Sequence, residues 1–199
     1  MRAVILLNGE PYAGPIDDTA ARVYCCDGAY RWAKERLRID ENLGDFDSLS
    51  EIPVPAPREV FPSEKNETDG ELALDRAIAD GADEIELYGG GGGREDHFLG
   101  NLHLLYKAHA AGVRAVMITN NARIFVAAGR VELKGCKGKT LSIIPFGADV
   151  HILKSGGLKY PLPDVFHYGS TRGISNVAKS DGAYFVAEEP ALVIVNEAL

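Results

Sequence analysis

Short apolar runs alternate with helical patterns of apolar residues over the first 120 positions. Four runs predict buried strands, at positions 2–7, 22–26, 84–88 and 113–119, and a brief extended run is predicted at 58–61. Apolar residues spaced three and four apart predict helices at positions 28–37, 68–79 and 95–111. Strands that alternate with helices of this length predict an α/β domain over residues 1–120, with a mainly parallel sheet covered on both faces.

The pattern changes after Asn120, where the helical period disappears. Short apolar runs follow, separated by Gly, Pro, Asp and Asn, at positions 124–127, 140–145, 150–153, 157–160, 173–178, 183–186 and 191–195. Such runs predict a small antiparallel all-β domain, a sandwich or a barrel, over residues 121–199.

The composition of the chain argues against some classes of binding partner. The net charge of −8 predicts an acidic surface, which argues against nucleic acid and anionic membranes as partners. No apolar run approaches the roughly 20 residues of a membrane span. The three cysteines (Cys25, Cys26 and Cys136) are odd in number and two are adjacent, so we expect reduced core thiols in a cytoplasmic protein.

Two aspartates follow the apolar Leu43, in the segment Gly44-Asp45-Phe46-Asp47-Ser48. In an extended segment, residues two apart point the same way, so Asp45 and Asp47 are expected to present two carboxylates on one face. Like charges so close are costly unless a cation lies between them, and Mg²⁺ held together with nucleotide phosphates meets this need. The alternative is a solvated turn, because Asp and Ser are common turn residues.

A second polar segment, Lys65-Asn66-Glu67-Thr68-Asp69-Gly70-Glu71, leads into a predicted helix. Thr68 and Glu71 match a capping box. Asp69 then lies in the first helical turn, where the helix dipole favours a negative charge. A helix start by itself explains these three residues and leaves Lys65 unexplained.

Five consecutive glycines at positions 89–93 separate a predicted strand from a predicted helix. Because such a run costs much backbone entropy, we expect the main chain to approach a ligand closely there. Free N–H groups around Gly92 and Gly93, together with the helix dipole, predict an anion site. Arg94 adds a fork suited to phosphate oxygens, and His97 and Asn101 share one helix face. The alternative is a flexible loop before an ordinary amphipathic helix.

Two turn-rich segments of the second half, at positions 156–162 and 169–176, combine small and polar residues. Within the latter, Ser175 and Asn176 offer hydroxyl and amide groups suited to a neutral polar ring. Hairpin turns explain the same composition.

Taken in this order, the segments resemble the thiamine pyrophosphokinase family along nearly the whole chain. The matching motifs are Cys25-Cys26-Asp27-Gly28, Gly44-Asp45-Phe46-Asp47-Ser48, Lys65-Asn66-Glu67-Thr68-Asp69, the glycine-rich Arg94-Glu95-Asp96-His97, and Ser175-Asn176. The resemblance implies transfer of a pyrophosphoryl group from Mg-ATP to the hydroxyl of thiamine, with release of AMP. It also implies an ATP-binding N-terminal domain, a thiamine-binding β-sandwich and a homodimer with shared active sites.

The resemblance also implies roles for individual residues. Asp45, Asp47 and Asp69 bind the metal ion, and either Asp47 or Asp69 accepts the proton of the thiamine hydroxyl. Asp96 acts in catalysis by orienting Arg94 or by joining the metal shell. The ATP side comprises Asp27, Lys65, Asn66, Thr68, Gly92, Gly93, Arg94, His97 and Asn101, and the thiamine side comprises Ser175 and Asn176.

Three positions depart from the family pattern. Asn66 stands where the family has an aspartate, and Val177 follows the Ser-Asn pair where an acid is frequent. The single tryptophan, Trp32, lies in the first half, so an aromatic contact to thiamine falls to Tyr160, Phe166, Tyr168 or Tyr184. Two rival functions are a haloacid-dehalogenase-like phosphatase, which also uses Asp-x-Asp with Mg²⁺, and a nucleotide sensor without turnover.

Overall fold

The computed structural model of the chain describes residues 1–47, 49–50, 52–57, 60–62 and 66–197. The chain divides into two units, Met1–Asn120 and Asn121–Leu199. Arg58 and Glu59, in the extended run predicted at 58–61, lie outside the described residues. Within the described ranges, every helix is too short or too polar to cross a membrane.

The described residues of the first unit form five parallel strands. They are β1 (Arg2–Leu6), β2 (Ala21–Cys26), β3 (Glu41–Leu43), β4 (Glu84–Tyr88) and β5 (Arg114–Ile118), in the order β5-β4-β1-β2-β3. The strands predicted from apolar runs are all present. The sequence prediction missed β3, because two of its three residues are the polar Glu41 and Asn42. Both are buried, and the Glu41 carboxylate lies 2.9 Å from the guanidinium of Arg22 and 3.5 Å from that of Arg76.

Three α-helices accompany this sheet in the part of the unit that the structure describes. A single 3₁₀ turn (Asp27–Ala29) leads into α1 (Tyr30–Ala33), and the longer helices are α2 (Asp69–Ala79) and α3 (Glu95–Ala110). The predictions for α2 and α3 are confirmed within one residue at each end. The helix predicted at 28–37 is wrong in length, because the chain leaves the helix after Ala33. Leu37 then packs into the core, and the Arg36 guanidinium binds the carbonyl oxygens of Tyr12 and Gly14.

One apolar cluster of this unit joins alternate residues of β1 and β2 to α1. It contains Val4, Leu6, Val23, Cys25, Tyr30 and Ala33. Helix α2 packs against β1, β2, β3 and α3. All three cysteines of the chain are buried and outside any disulfide, as predicted. Burial raises the pKa of the Cys25 thiol to about 12, so this group stays protonated.

The second unit is built from antiparallel strands. They are β6 (Ala122–Glu132), β7 (Thr140–Pro145), β8 (Val150–Gly156), β9 (Val165–Phe166), β10 (Asn176–Val177) and β11 (Tyr184–Asn196). Strand β11 pairs with β6 along its length, with β8 in its first half and with β7 in its second half. Its register shifts between Ala187 and Ala191, and at this point β11 changes its second partner. A shared apolar core includes Leu141, Ile143 and Phe185.

Several predicted boundaries in the second half are wrong. The runs at 183–186 and 191–195 form one strand, because pairing with β6 resumes after the bulge. The run at 157–160 forms no strand and makes only an isolated bridge between Leu158 and Ala178. The run at 173–178 contributes only the two residues of β10, and the two-residue β9 was missed.

Candidate active site

The polar segments of the first unit meet at the carboxyl ends of its parallel strands. Asn8 follows β1, Asp27 follows β2, Asp45 follows β3 and the glycine run follows β4. Because these strands are parallel neighbours, their carboxyl ends share one edge of the sheet. In open α/β sheets this edge is where ligands bind.

Three aspartates form a carboxylate cluster at this edge. One oxygen each of Asp27, Asp45 and Asp47 lies within 4.8 Å of the others. The register of β2 and β3 brings them together, since Cys26 pairs with Leu43 and places Asp27 beside Gly44. Asp27 is buried, with 8% of its surface exposed, whereas Asp47 is exposed.

The segment that carries Asp45 and Asp47 is a turn, so the extended conformation predicted for it is wrong. Phe46 has a φ of 58°, a left-handed conformation that a bulky residue adopts only when its surroundings impose it. The Asp47 N–H donates to Oδ1 of Asp45 at 3.3 Å. The two carboxylates converge on Asp27 through this turn. Ser48, the last residue of the motif, lies outside the described residues.

Gly44 connects the carboxylate cluster to α2. A Cβ atom at this position would lie 2.7 Å from Cβ of Asp27 and 3.2 Å from Oδ2 of Asp69, and its φ is +145°. Only glycine allows the backbone to pass this close to both aspartates. Asp69 therefore borders the cluster from the first turn of α2.

The carboxylate cluster fits a hard divalent cation. It supplies oxygen donors only, and carboxylate oxygens within 4.8 Å of one another repel each other unless a positive charge is present. Asp27, assigned from the sequence to the ATP side, belongs to this donor group together with Asp45 and Asp47. No local sequence pattern indicated that Asp27 joins the cluster, because Asp27 is distant from Asp45 and Asp47 along the chain.

The Thr68 half of the capping box predicted at the start of α2 is confirmed, whereas the Glu71 carboxylate lies 2.9 Å from the Lys107 ammonium. Oγ1 of Thr68 accepts a hydrogen bond from the Glu71 N–H at 3.2 Å. Asp69 occupies the first turn, where the helix dipole favours its charge. Asn66 is exposed and precedes the helix, and Lys65 lies outside the described residues.

The glycine loop continues the pairing of β1 with β4 beyond both strands. Gly9 donates its N–H to the Gly89 carbonyl at 2.7 Å, and Glu10 donates to the Gly91 carbonyl at 2.6 Å. Asn101 of α3 donates its amide N–H to the Gly90 carbonyl at 2.9 Å. The loop is therefore held from both sides, which leaves Gly92 and Gly93 at its exposed end.

Arg94 and Asp96 form a bidentate ion pair at the start of α3. The guanidinium donates from Nε at 3.0 Å and from a terminal nitrogen at 2.6 Å to the two carboxylate oxygens. Oδ1 of Asp96 also accepts from the His97 N–H at 2.9 Å. These bonds, those of Arg94 above all, lower the pKa of Asp96 to about 2. Both carboxylate oxygens of Asp96 are therefore engaged with Arg94, and the orienting role of Asp96 in catalysis stays a prediction.

A cavity of about 500 Å³ lies among these segments, within the size range of small-molecule sites. Eight residues predicted from the sequence line it: Thr68, Asp69, Gly92, Gly93, Arg94, Asp96, His97 and Asn101. The other seven lining residues were not predicted as site residues: Asn8, Gly9, Leu7, Cys26, Gly70, Gly90 and Gly100. Asn8 and Gly9 could have been predicted as site residues, because this polar pair directly follows an apolar strand.

A second cavity, of about 360 Å³, lies in the second unit and includes Asn176 in its lining. Two of the four candidate aromatics line it, Tyr160 and Phe166. The Tyr184 ring instead lies 4.2 Å below the guanidinium of Arg130. Ser175 is not among the lining residues, and its N–H donates to Oγ of Ser142 at 3.2 Å.

Carboxylates and a glycine loop at the carboxyl edge of a parallel sheet are typical of proteins that bind a nucleotide with a divalent cation. Residues 16–117 match the family model described as thiamin pyrophosphokinase, catalytic domain. Residues 130–192 match the model described as thiamin pyrophosphokinase, vitamin B1 binding domain. The chain therefore belongs to the thiamin pyrophosphokinase family, as the sequence motifs predicted.

Individual relatives agree with this assignment. A thiamine pyrophosphokinase of Bacillus subtilis (strain 168) is 38% identical over 165 residues, which cover 77% of each chain. The solved structure of a thiamine pyrophosphokinase from Bacillus subtilis has a TM-score of 0.83 and 30% identity over 98% of both chains. That of a thiamin pyrophosphokinase from Geobacillus thermodenitrificans has a TM-score of 0.81 and 28% identity, covering 100% of this chain and 98% of the other.

Proposed function

We propose that the chain transfers a pyrophosphoryl group from ATP to the hydroxyl of thiamine, which yields thiamine diphosphate and AMP. The observation that carries this proposal is the carboxylate cluster of Asp27, Asp45 and Asp47 at the sheet edge that also holds the glycine-lined cavity. A cation site beside an anion site is what a nucleotide polyphosphate requires. Membership of the thiamin pyrophosphokinase family supports both substrates.

Mg²⁺ is the cation that we propose for the carboxylate cluster. Asp27, Asp45 and Asp47 would hold it, with Asp69 alongside, because small hard cations prefer carboxylate and phosphate oxygens. When bound, such an ion neutralises charge that develops on the transferred phosphates.

The residues of the cavity bind and orient the nucleotide. Backbone N–H groups of the glycine loop and of the first turn of α3 face the phosphates, and the α3 dipole favours their negative charge. Asp96 holds the Arg94 guanidinium in one orientation through two hydrogen bonds, so this donor is preorganised. The proton of the thiamine hydroxyl passes to a carboxylate of the cluster as the oxygen attacks the β-phosphorus.

We assign thiamine to the second unit, residues 121–199, and to its cavity at Tyr160 and Asn176. The family model that matches these residues carries vitamin B1 binding in its description. An aromatic wall suits thiamine, because a cationic thiazolium ring is attracted to the face of an aromatic side chain. The first unit, residues 1–120, then serves as the ATP-binding catalytic domain.

One assay separates this function from its two rivals. Purified protein is incubated with ATP, Mg²⁺ and thiamine, and the products are resolved by chromatography. Equal amounts of AMP and thiamine diphosphate are expected. A haloacid-dehalogenase-like phosphatase would release inorganic phosphate instead, and a sensor would release nothing. The phosphatase also needs a nucleophilic aspartate directly after its first strand, where this chain has Asn8-Gly9.

A homodimer with shared active sites forms part of the proposal and rests on the family resemblance. Asp47→Asn chains and Asn176→Ala chains, unfolded and refolded together, test it by complementation. If each site draws Asp47 from one subunit and Asn176 from the other, half of the dimers are mixed and each has one intact site. About a quarter of wild-type activity is then expected at low thiamine. Activity no higher than the Asn176→Ala chains supply would reject sharing, provided that mixed dimers are shown to be present.

A cytoplasmic location also belongs to the proposal. Three buried cysteines outside any disulfide support it, because thiols stay reduced in that compartment.

A further inference from the structure

A group of metal-ligating side chains lies on the surface of the second unit, where β11 bulges. One ligand atom each of His151, Glu188 and Glu189 lies within 4.8 Å of the others. Nδ1 of His151 lies 2.9 Å from Oε1 of Glu189, and the His151 backbone N–H donates to the other oxygen of that carboxylate at 2.7 Å. These three residues form a histidine–glutamate cluster, in which one imidazole and two carboxylates converge.

The bulge of β11 explains why two successive glutamates reach the same imidazole. Side chains of successive strand residues ordinarily point to opposite faces of a sheet. In β11 the pairing with β6 breaks off after Ala187 and resumes at Ala191, so Glu188 and Glu189 lie in the interruption and escape this alternation. The pairing of β8 with β11 shifts just before Ala187, which places His151 beside the two glutamates.

The negative charge of the cluster lacks a permanent cation. Among the described residues, no lysine or arginine forms an ion pair with either glutamate, whereas Glu132 in the same unit has Lys134 at 2.9 Å. The hydrogen bond to Glu189, followed by the charges of Glu189 and Glu188, raises the pKa of the His151 imidazole. Surroundings that favour a proton on this imidazole also favour a metal ion, which can replace the proton at nitrogen.

A second pair of imidazole and carboxylate adjoins the cluster. Asp149 and His151 flank Val150, whose side chain is buried, so both point away from the core. Nδ1 of His167 lies 2.9 Å from Oδ2 of Asp149, and the charge of Asp149 also contributes to the raised pKa of His151. The surface around the cluster therefore adds a carboxylate and an imidazole, the groups that commonly support metal ligands from outside the coordination sphere.

We propose that the histidine–glutamate cluster binds a divalent transition-metal ion of the Zn²⁺ class, with the imidazole of His151 and one oxygen from each glutamate as ligands. Zn²⁺ accepts three such ligands and a water molecule, at bond lengths of about 2.0 to 2.2 Å, so two ligand atoms on one ion lie up to about 4.4 Å apart. Atoms already within 4.8 Å reach this spacing through a small movement of exposed side chains. The nitrogen ligand distinguishes this site from the carboxylate cluster of the first unit, because Mg²⁺ prefers oxygen ligands alone. The ion cross-links β8 to the bulge of β11.

Calorimetric titration with ZnCl₂ and, separately, with MgCl₂ tests this proposal. The host protein is the full chain carrying Asp45→Asn and Asp47→Asn, which removes two of the three carboxylates of the first-unit cluster as competing ligands. We expect one Zn²⁺ to bind per chain and Mg²⁺ to bind more weakly. In this host, His151→Gln or Glu188→Gln should weaken Zn²⁺ binding at least about tenfold. Both side chains are exposed, and either variant alone tests the cluster if the other does not fold.

Glu132→Gln in the same host is the matched control, because it removes a glutamate of this unit that pairs with Lys134. It should leave the Zn²⁺ affinity unchanged. Saturating Zn²⁺ should raise the melting temperature of the host and of Glu132→Gln, and should leave that of His151→Gln unchanged. Equal Zn²⁺ affinity in the host, His151→Gln and Glu188→Gln would overturn the inference, as would Mg²⁺ binding as tight as that of Zn²⁺. Neither measurement involves AMP formation, so this inference and the proposed function fail independently.

Discussion

Replacement of Gly44 by alanine perturbs the carboxylate cluster without removing a carboxylate. The new Cβ would lie 2.7 Å from Cβ of Asp27 and 3.2 Å from Oδ2 of Asp69. An ordinary carbon–carbon contact is about 3.5 to 4.0 Å, so Asp27 has to retreat by about 1 Å. A displacement of that size in a reacting site costs about a hundredfold in rate, which corresponds to about 2.7 kcal/mol of transition-state stabilisation.

The assay is AMP formation from ATP and thiamine at saturating Mg²⁺, with kcat and both KM values determined for Gly44→Ala. Folding is checked by urea denaturation followed through the fluorescence of Trp32, the single tryptophan of the chain. This residue reports on the first unit, because its indole N–H donates to the Leu7 carbonyl at 3.3 Å.

Gly81→Ala is the matched control. Gly81 also has a positive φ, of +90°, but a Cβ there would meet no atom within 4 Å. Both variants therefore carry backbone strain of about 1 to 3 kcal/mol, and only Gly44→Ala presses on Asp27 and Asp69. A folded Gly44→Ala protein with the kcat/KM of Gly81→Ala would refute the reasoning.

Three further results are expected. Asp47→Asn should lower kcat at least about a hundredfold while the protein stays folded; wild-type kcat would reject the metal site. Glu41→Ala should lower the free energy of unfolding, measured in urea, by about 3 to 5 kcal/mol because two arginines lose a buried partner; a change below about 1 kcal/mol would contradict this. Hydrogen bonds from Arg94 hold the pKa of Asp96 at about 2, so the Arg94–Asp96 ion pair forms fully above the ordinary carboxyl pKa and breaks only as pH falls through the lowered one. The pH profile of wild-type activity between about pH 5 and 9 should therefore contain no inflection from Asp96. The profile of Asp96→Asn should have the same shape over this range.

The sequence predicted those elements whose signal is local. Strands β1 and β2 are apolar apart from Arg2 and Arg22, β4 alternates two glutamates with apolar residues, and α2 and α3 carry helical periods with recognisable starts. The glycine loop and the Arg94-x-Asp96-His97 group were recognisable because all their residues are adjacent in the chain. Motif order then identified the family, which no single segment could do.

Features that depend on pairing between distant segments were not predictable. The polar Glu41 and Asn42 hide β3, and a buried Glu41 is tolerable only beside the guanidinium groups of Arg22 and Arg76. The membership of Asp27 in the carboxylate cluster follows from the register of Cys26 with Leu43, which no residue pattern encodes. Likewise, two hydrogen bonds between the Asn176 carboxamide and the Tyr160 backbone join two turn-rich segments that the sequence gives no reason to pair.

Charge balance in the first unit connects the carboxylates to the glycine loop. Arg94 is the only arginine or lysine among the described residues that line the cavity, and its guanidinium is shared with Asp96. The cavity therefore offers backbone dipoles instead of net positive charge, while the adjoining carboxylate cluster adds negative charge. A nucleotide polyphosphate placed there would be repelled unless a divalent cation lay between its phosphates and the aspartates. For this reason we expect the two motifs to act as one site, in which neither the glycine loop nor the carboxylate cluster would bind the nucleotide without the other.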